Sequence, residues 1–434
     1  MFDLLVKNAN LQDGRSRIDI ACSKGRIVAV ESNIDGEARE IIDATGRLVI
    51  PPFVDAHWHL DGALLHGNPY SNQSGSLYEG IDIWSKHKWT ATVEDYKERA
   101  RRVLCWAIAN GSLHIRCQTD ICDPQLRGAQ ALIELRDELK PYIDLQLVAF
   151  PQDGYLRDPN GLELMKRALD MGMDVVGGIP DYELTAPLGY EAVRQLCELA
   201  DKRGLLVDMH IDQTTDPQSR QIEAIALECV RLKMGARISA SHCPSMANFD
   251  DYYADKLITQ LAQAGINICV QPMVAATCWG VMARVGQLLD GGVNVAFGQD
   301  SVMDPWYPFG KCEMLDIAHM EIVWGRVLPE KKMALVFNGI TYGGAKALNL
   351  DGYGIVKGNY ADLVVLQAPN PIEAIRIRPP RLAVVRRGEV IAKQQAQRAE
   401  LSLGSRRVAV DFTRDDLLRT GRPRHVHAHQ HRVE

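Results

Sequence analysis

The middle of the chain alternates between two patterns of apolar residues. Short apolar runs bounded by turn residues predict buried strands at 54–60, 114–121, 144–150, 174–179, 205–211, 237–242, 267–271 and 293–300. Segments with apolar residues at helical spacing predict helices at 93–110, 125–139, 161–171, 189–203, 218–233, 252–264 and 281–290. Eight strands that alternate with helices predict a parallel sheet closed into a (β/α)8 TIM-type barrel. An open doubly wound sheet is the alternative, but the chain has no glycine-rich dinucleotide loop to support it.

Both ends of the chain carry shorter strand patterns. They lie at 4–8, 18–22, 26–31 and 40–43, and again at 361–367 and 382–392. Neither half is large enough to bury a core alone, so we predict that they join into one small β-sandwich.

The predicted domains follow from this pairing. Residues 1–50 and 352–398 form the sandwich, residues 51–351 form the barrel, and residues 399–434 form a carboxyl-terminal extension. Within the barrel segment, residues 61–90 are predicted as a long polar connection and residues 305–350 as mostly helical.

Composition and charge narrow the class of protein. The 434 residues are 46% hydrophobic and 24% charged, as in ordinary globular proteins. The net charge of −6 disfavours a nucleic-acid partner, and no apolar run approaches the ~20 residues that span a bilayer. The amino terminus lacks a secretory signal pattern, and the ten cysteines form no C-x-x-C pair. These features predict a cytoplasmic protein with reduced thiols.

The candidate chemistry lies at the carboxyl ends of the predicted barrel strands. His57 and His59 share one face of the first strand, because side chains alternate along a strand. The fifth strand ends near His210, the sixth at His242 and the eighth at Asp300. Histidines and a carboxylate that meet at one rim predict a metal site.

We predict that His57, His59, His210 and Asp300 bind the metal. These ligands suit one Zn²⁺ or Fe²⁺ ion. A second ion is not expected, because two-metal barrels usually bridge their ions with a lysine on strand four, and this strand has none. The ion would lower the pKa of a bound water, Asp300 would take the water's proton, and His242 would stabilise the developing anion.

Several longer motifs resemble the amidohydrolase superfamily, and within it the cytosine deaminase-like proteins. They are NQSGSLYEGI at 72–81, DLQLVAFPQ at 144–152, DVVG at 174–177, QSR at 218–220, GARISASH at 235–242 and DPWYP at 304–308. The resemblance extends from about residue 2 to residue 395. It implies a metal-dependent hydrolase with the same four ligands and with His242 beside the metal-bound water. It also implies Gln152 as an amide that reads the substrate ring and Trp306 as a wall of the pocket.

Two positions depart from the family pattern. Gln213 stands where these deaminases have a proton-shuttling glutamate, and Ser301 stands where a second aspartate faces the substrate amine. Asp212 could replace the lost acid if its side chain points inward, or it could be a buried group that holds another residue. N-isopropylammelide aminohydrolases, which are similar, also lack the shuttle. We therefore expect an N-substituted amine, a triazine or another nitrogen heterocycle as the substrate, in place of cytosine.

Two further residues are predicted to line the pocket. They are Cys117 on the second strand and Gln271 after the seventh. The histidine-rich segment at 424–431 is expected to be a tail without a role in metal binding.

Three functions follow in order of preference. The first is hydrolytic release of ammonia or an amine from a small nitrogen heterocycle. The second is opening of a cyclic amide such as a hydantoin, which needs less ring protonation and would tolerate Gln213. The third is an inactive homologue that only binds a ligand. The resemblance also leaves a homo-oligomer open.

Overall fold

The amino-terminal segment forms five strands in the computed structural model, which describes residues 1–410 and 412–413. Strands β1 to β5 are Phe2–Leu11, Ile18–Ser23, Arg26–Glu31, Ala38–Asp43 and Leu48–Ile50. Strands β1, β2 and β3 pair in antiparallel order, whereas β4 and β5 each run parallel to β1. The chain then enters the barrel directly from β5.

Eight parallel strands form the barrel. Strands β6 to β13 are Phe53–Trp58, Ser112–Asp120, Asp144–Phe150, Val175–Gly178, Leu206–Ile211, Ile238–His242, Asn267–Val270 and Asn294–Phe297. Each strand pairs with its neighbour in chain order, and a bridge between Trp58 and Asp300 brings the first strand to the last. The strands are buried along nearly their whole length, because both faces of a barrel sheet are covered.

Nine helices accompany the barrel strands in the described part of the chain. Helices α1 to α9 are Leu77–Lys88, Val93–Ala109, Arg127–Leu139, Gly161–Asp170, Ala186–Arg203, Gln221–Arg231, Asp251–Ala264, Pro272–Cys278 and Val285–Asp290. Short 3-10 turns lie at Pro180–Tyr182, Gly235–Arg237 and Pro244–Asn248.

The apolar pattern predicted the helices α2 to α7 but not α1. Residues 61–90 were expected to be a polar connection, and this was wrong for the part that forms α1. Ser76 caps the helix by accepting a hydrogen bond from the Glu79 amide, and its buried face includes Ile81 and Trp84. Lys88 is also buried on this face, and this polar residue interrupts the apolar spacing that would have predicted a helix. The predicted helix at 281–290 is shorter than expected and begins at Val285.

The carboxyl-terminal segment returns to the amino-terminal strands. Helices α10 to α12 are Met314–Trp324, Glu330–Gly339 and Tyr342–Ala347, followed by β14 (Leu363–Leu366), α13 (Pro371–Ile377), β15 (Arg381–Arg386) and β16 (Glu389–Ala392). Strand β14 pairs with β5 in antiparallel register, with Val49 opposite Val365. The two ends therefore share one sheet, in the order β16-β15-β14-β5-β1-β2-β3.

This sheet has a hydrophobic core of its own, separate from that of the barrel. Leu4, Val6 and Val49 from the amino-terminal half pack with Leu363 and Val365 from the other half, and all five are buried. The predicted fold is confirmed as a (β/α)8 TIM-type barrel with a small β-sandwich built from both termini.

The last described strands, β17 (Ala399–Leu403) and β18 (Arg406–Val410), form a separate hairpin. The histidine-rich segment at 424–431 lies outside the described residues. Among the described helices, none is both long and apolar enough to cross a membrane.

Candidate metal centre and active site

His57 and His59 lie inside the barrel mouth, where β6 ends. Both are buried, and His59 Nε2 lies 3.1 Å from the Nε2 of His210, which comes from β10. Two nitrogens that bind one ion at roughly 2.0–2.1 Å in neighbouring coordination positions lie about 3 Å apart, so this spacing fits a shared ion. The alternation of β6 thus brings both histidines to one point, as predicted.

Asp300 reaches the same point through the closure of the barrel. Its amide donates to the His57 carbonyl, and its own carbonyl accepts from the His59 amide, each at 2.8 Å. Asp300 Oδ1 then lies 3.5 Å from the Nε2 atoms of both histidines. Gly298 makes this closure possible, because a Cβ there would lie 2.5 Å from the His57 carbonyl oxygen.

His242 completes the cluster from the end of β11. Its Nδ1 lies 3.8 Å from Asp300 Oδ2, and its ring centre lies 4.8 Å from that of His210. Two overlapping sets of ligand atoms, His57 with His59 and His210, and His57 with His242 and Asp300, each lie within 4.8 Å of one another. The structure therefore brings together every residue that was predicted at the rim.

The pKa values of these side chains favour the protonation states that bind a cation. Burial lowers the pKa of His59 to about 4 and that of His242 to about 3. Burial and the neighbouring imidazoles hold the pKa of His210 well below its ordinary value. Burial alone would raise the pKa of Asp300, but His242 and His57 lower it to about 2. Neutral imidazoles and an ionised carboxylate are the forms that bind metal.

Buried polar atoms without hydrogen-bond partners also indicate a metal site in this cluster. His57 Nε2 and both ring nitrogens of His242 are buried without a hydrogen-bond partner in the described part of the chain. Buried polar atoms normally have partners, so unpartnered nitrogens beside Asp300 indicate a site for a ligand. The donor set fits a divalent metal ion.

A buried chain of polar groups orients His57. Its Nδ1 lies 3.0 Å from Ser241 Oγ, and that hydroxyl donates to Asp208 Oδ1 at 2.6 Å. Arg116 in turn donates to Asp208 Oδ2 at 2.9 Å. This chain favours a proton on Nδ1, which leaves the Nε2 lone pair for the ion. Asp208 and Arg116 were not predicted as parts of the site. What marks them in the sequence is that each is a polar residue inside an otherwise apolar strand.

A small, partly open cavity lies above the cluster. Gln152, Gln213, Ser301 and Trp306 line the cavity beside the histidines, as predicted. Its other lining residues were not predicted, because they are apolar and come from loops and helix ends: Leu77, Ile179, Val274 and Trp279.

Asp212 does not point into the cavity. It follows the last residue of β10 and has a positive φ of 53°, so the alternation of the strand ends before it. Its carboxylate accepts the amides of Gln221 and Ile222 and the hydroxyl of Ser219 at the start of α6. The structure therefore contradicts the inward orientation and matches the alternative, a buried group that holds its neighbours.

Cys117 and Gln271 are also displaced from their expected places. Cys117 packs in the hydrophobic core of the barrel. The side chain that faces the histidines is that of the next residue, Gln118, whose Nε2 lies 3.3 Å from His57 Nδ1. Gln271 is buried with its amide nitrogen 3.2 Å from Cys269 Sγ. In the described part of the chain neither residue lines the cavity. The Cys117 prediction was wrong by strand register, since adjacent residues of a strand face opposite ways. Gln271 lies after the end of β12, where the alternation of the strand no longer applies.

Comparisons with known proteins agree with this geometry. The model of the Amidohydrolase family matches residues 40–395. The chain is 30% identical over 409 residues to the N-isopropylammelide isopropyl amidohydrolase of Pseudomonas sp. (strain ADP), covering 91% of this chain and 98% of that protein.

Two solved structures are similar over nearly their whole length. The 5-methylcytosine deaminase of Klebsiella pneumoniae, liganded with 5-fluorocytosine, is 38% identical with a TM-score of 0.87, covering 91% of this chain and 98% of that one. The N-isopropylammelide isopropylaminohydrolase of Burkholderia multivorans ATCC 17616 is 25% identical with a TM-score of 0.80, covering 91% and 99%. The chain therefore belongs to the amidohydrolase family and is a hydrolase of carbon–nitrogen bonds other than peptide bonds.

Proposed function

We propose that this protein uses one divalent metal ion to release ammonia or an amine from a ring carbon of a small nitrogen heterocycle. The observation that carries the proposal is the cavity itself. Its floor holds His59, His210, His242 and Asp300, and its walls hold two amides and two indoles. Such walls suit a flat, neutral ring that carries both donors and acceptors.

The proposed ligands are His57, His59, His210 and Asp300. A single ion is supported by the fourth barrel strand, Val175–Gly178, which carries no ligand-type side chain. Nitrogen and carboxylate ligands suit Zn²⁺ and Fe²⁺ alike. When bound, the ion would supply a water molecule whose pKa is lowered toward neutrality.

The protein's own side chains would move the protons and hold the ring. The imidazoles of His242 and His57 lower the pKa of the Asp300 carboxyl, and Asp300 lines the cavity, so it is placed to accept a proton from a water molecule and to return it to the leaving amine. His242 is neutral and lies beside Asp300, where it can hydrogen-bond an oxygen that gains negative charge.

Gln152 and Gln213 would orient the substrate ring. Both are buried and line the cavity, and Gln213 Oε1 has no partner in the described part of the chain. The Gln213 backbone N–H donates to Asp181 Oδ2 at 2.8 Å, which holds the backbone at this position. A primary amide offers a donor and an acceptor but no acid, so it orients a ring without protonating it.

The relatives suggest the kind of ring. One similar structure is that of a 5-methylcytosine deaminase, and two other relatives act on N-isopropylammelide. We propose substituted pyrimidines and amino-triazines as the substrate class. Because Gln213 cannot protonate a ring nitrogen, we expect rings with a good leaving amine to react faster than cytosine.

A substrate panel tests the proposal. Purified protein of known metal content is incubated with cytosine, 5-methylcytosine, N-alkylamino triazines and a hydantoin. We expect ammonia or amine release with the ring intact, and a gain in cytosine turnover in Gln213→Glu. Ring opening without amine release would instead support the cyclic-amide alternative, and no reaction with any compound would contradict the proposal.

The cellular location is proposed from the thiols. All ten cysteines lie in the described part of the chain and each is free. Free thiols in this number support a reducing compartment, for which we propose the cytoplasm.

A further inference from the structure

Lys88, the last residue of α1, is buried although it carries a charge. Its side chain is 1% exposed, and a lysine is almost never enclosed to this degree unless it is paired. Its ammonium donates to Oδ2 of Asp120 at 3.0 Å and to Oδ2 of Asp153. Asp120 ends β7, and Asp153 lies in the loop that follows β8. One charge therefore joins α1 to the ends of two neighbouring barrel strands.

Asp120 is itself fixed to the barrel. Its Oδ1 accepts the Cys122 amide at 2.8 Å, and its own amide donates to Oδ2 of Asp61 at 2.8 Å. Trp84, one turn before Lys88 in α1, donates its indole N–H at 2.7 Å to the same carboxylate oxygen that Lys88 contacts. The last turn of α1 is therefore docked on Asp120 through two side chains.

Asp153 is the less constrained end of this arrangement. Its side chain is 34% exposed, so without Lys88 it would be free to turn toward solvent. Its amide donates to Cys122 Sγ at 3.3 Å, and a cysteine sulfur is only a weak acceptor. The residue before it, Gln152, is buried and lines the cavity. A shift of Asp153 would therefore move the amide that is proposed to orient the substrate ring.

The other end of α1 also reaches the cavity. Leu77 lines the cavity, and its carbonyl accepts the indole N–H of Trp306 at 3.1 Å. The Trp306 ring packs so closely against Gly80 of α1 that a Cβ there would overlap it. Helix α1 therefore extends from one wall of the cavity, formed by Leu77 and Trp306, to the loop that carries Gln152.

We propose that Lys88 is a positioning residue for substrate binding. Through Asp153 it holds the Gln152 amide in place, and through α1 it keeps the opposite wall at a set distance. The inference rests on the proposed function, since it concerns how the same cavity holds the ring. Replacement of a buried ion pair by apolar side chains is often neutral for stability, so the geometry that the pair imposes is the effect to measure.

Asp153→Ala removes the link with little risk to the fold. Asp153 is partly exposed, and its amide keeps the contact with Cys122. Lys88 keeps Asp120 as a partner. With the ring that reacts best in the panel, we expect KM to rise about tenfold and kcat to stay within about threefold, because Gln152 would bind the ring equally in the ground state and the transition state. Asp153→Asn keeps an acceptor for Lys88 and should stay near the wild type.

A second background separates positioning from a general loss of structure. Gln152→Ala alone should raise KM, and the addition of Asp153→Ala should raise it no further, since both changes act through one side chain. An unchanged KM in Asp153→Ala would overturn the inference, whatever its melting temperature. A further rise in the Gln152→Ala background would overturn it as well.

Lys88→Met should raise KM as Asp153→Ala does, and Lys86→Met is its matched control. Lys86 also lies in the last turn of α1, but it and its partner Asp82 are both exposed. Such surface pairs contribute little, so the control should keep the wild-type KM. Equal KM values in the two lysine variants would contradict the role of Lys88. If Lys88→Met does not fold, Asp153→Ala decides.

Binding separates this inference from the proposed function. If panel compounds bind without reacting, the proposed function fails, and calorimetry with the compound that binds best takes the place of KM. An affinity about tenfold weaker in Asp153→Ala than in the wild type, at equal metal content, would still support the role of Lys88. Equal affinities in the two proteins, or no binding of any panel compound to the wild type, would contradict it.

Discussion

Single side chains in this site gain their properties from burial and from one or two neighbours. Asp300 stays ionised although it is buried, because His242 and His57 lie beside it. Asp304 is just as buried, but burial outweighs the hydrogen bonds from the Trp306 and Tyr307 amides and raises its pKa to about 7. Two aspartates in one loop thus differ in charge behaviour because of what they touch.

Removal of the Ser241 hydroxyl should weaken metal binding. Ser241→Ala deletes the link between His57 and Asp208, so the His57 ring loses its fixed orientation and tautomer. We expect roughly 10–100-fold lower affinity, as for other groups behind metal ligands. The measurement is competition for Zn²⁺ against a chelator of known affinity.

Ser112→Ala provides the matched control. Ser112 is also a buried serine of a barrel strand, but its Oγ has no partner in the described part of the chain. It should leave the metal affinity unchanged. Equal affinities in the Ser241 and Ser112 variants would refute the orienting role of Ser241.

At the scale of elements, the ends of strands position the side chains of the candidate site, and the ends of helices anchor the residues next to them. Alternation along β6 brings His57 and His59 to one side, and the closure of β13 against β6 adds Asp300. Alternation fails where a strand has already ended, as at Asp212, which instead caps α6. Strand periodicity predicted the shared side of His57 and His59 correctly. It fails at Asp212, where the backbone adopts a positive φ directly after β10.

The closure of the barrel predicts the outcome of a change at Gly298. A Cβ in Gly298→Ala would lie 2.5–2.6 Å from the carbonyl oxygen and amide nitrogen of His57, and backbone atoms cannot move aside cheaply. We expect a loss of about 3 kcal/mol or more in the free energy of unfolding. Urea denaturation followed by circular dichroism measures it.

Gly286→Ala in α9 is the comparison variant. Only the flexible end of Lys332 lies near the added Cβ, at 3.9 Å. Because alanine favours a helix over glycine, this variant should be neutral or stabilised by up to about 1 kcal/mol. Similar losses at both glycines would show that the β6–β13 contact is not special.

Helix α10 carries a buried carboxyl that makes stability depend on pH. Glu321 is fully buried, neither of its oxygens has a hydrogen-bond partner in the described part of the chain, and burial raises its pKa from 4.5 to about 8. The folded protein therefore holds this proton between about pH 5 and 8, whereas the unfolded chain releases it. Since the unfolded state binds fewer protons, stability falls as the pH rises through this window.

Glu321→Gln should remove this dependence. Its free energy of unfolding should exceed that of the wild type by an amount that grows by roughly 1–3 kcal/mol from pH 5 to pH 8. Denaturation curves at both pH values give the difference. Glu98→Gln, an exposed change within α2, is the control and should show no such growth. A pH-independent difference at Glu321 would contradict the assignment.

At the scale of the whole molecule, the sequence was sufficient for the architecture and for the metal-type cluster. Repeated strand and helix periods predicted the barrel, and paired patterns at the two ends predicted the sandwich. The division of the chain into domains at residues 50, 351 and 398 stays a prediction. The walls of the cavity were only partly predicted, because Leu77, Ile179, Val274 and Trp279 are apolar and look like core residues in a sequence. Their role depends on how loops from different strands meet.

The central claim is that one divalent ion held by His57, His59, His210 and Asp300 is required for hydrolysis of a carbon–nitrogen bond. The most direct measurement starts from chelator-stripped protein and titrates it with Zn²⁺ or Fe²⁺, while bound metal and released amine are measured together. Activity should be absent at first, rise with bound metal and level off at one ion per chain. Full activity in the stripped protein, or saturation only at two ions per chain, would contradict the account.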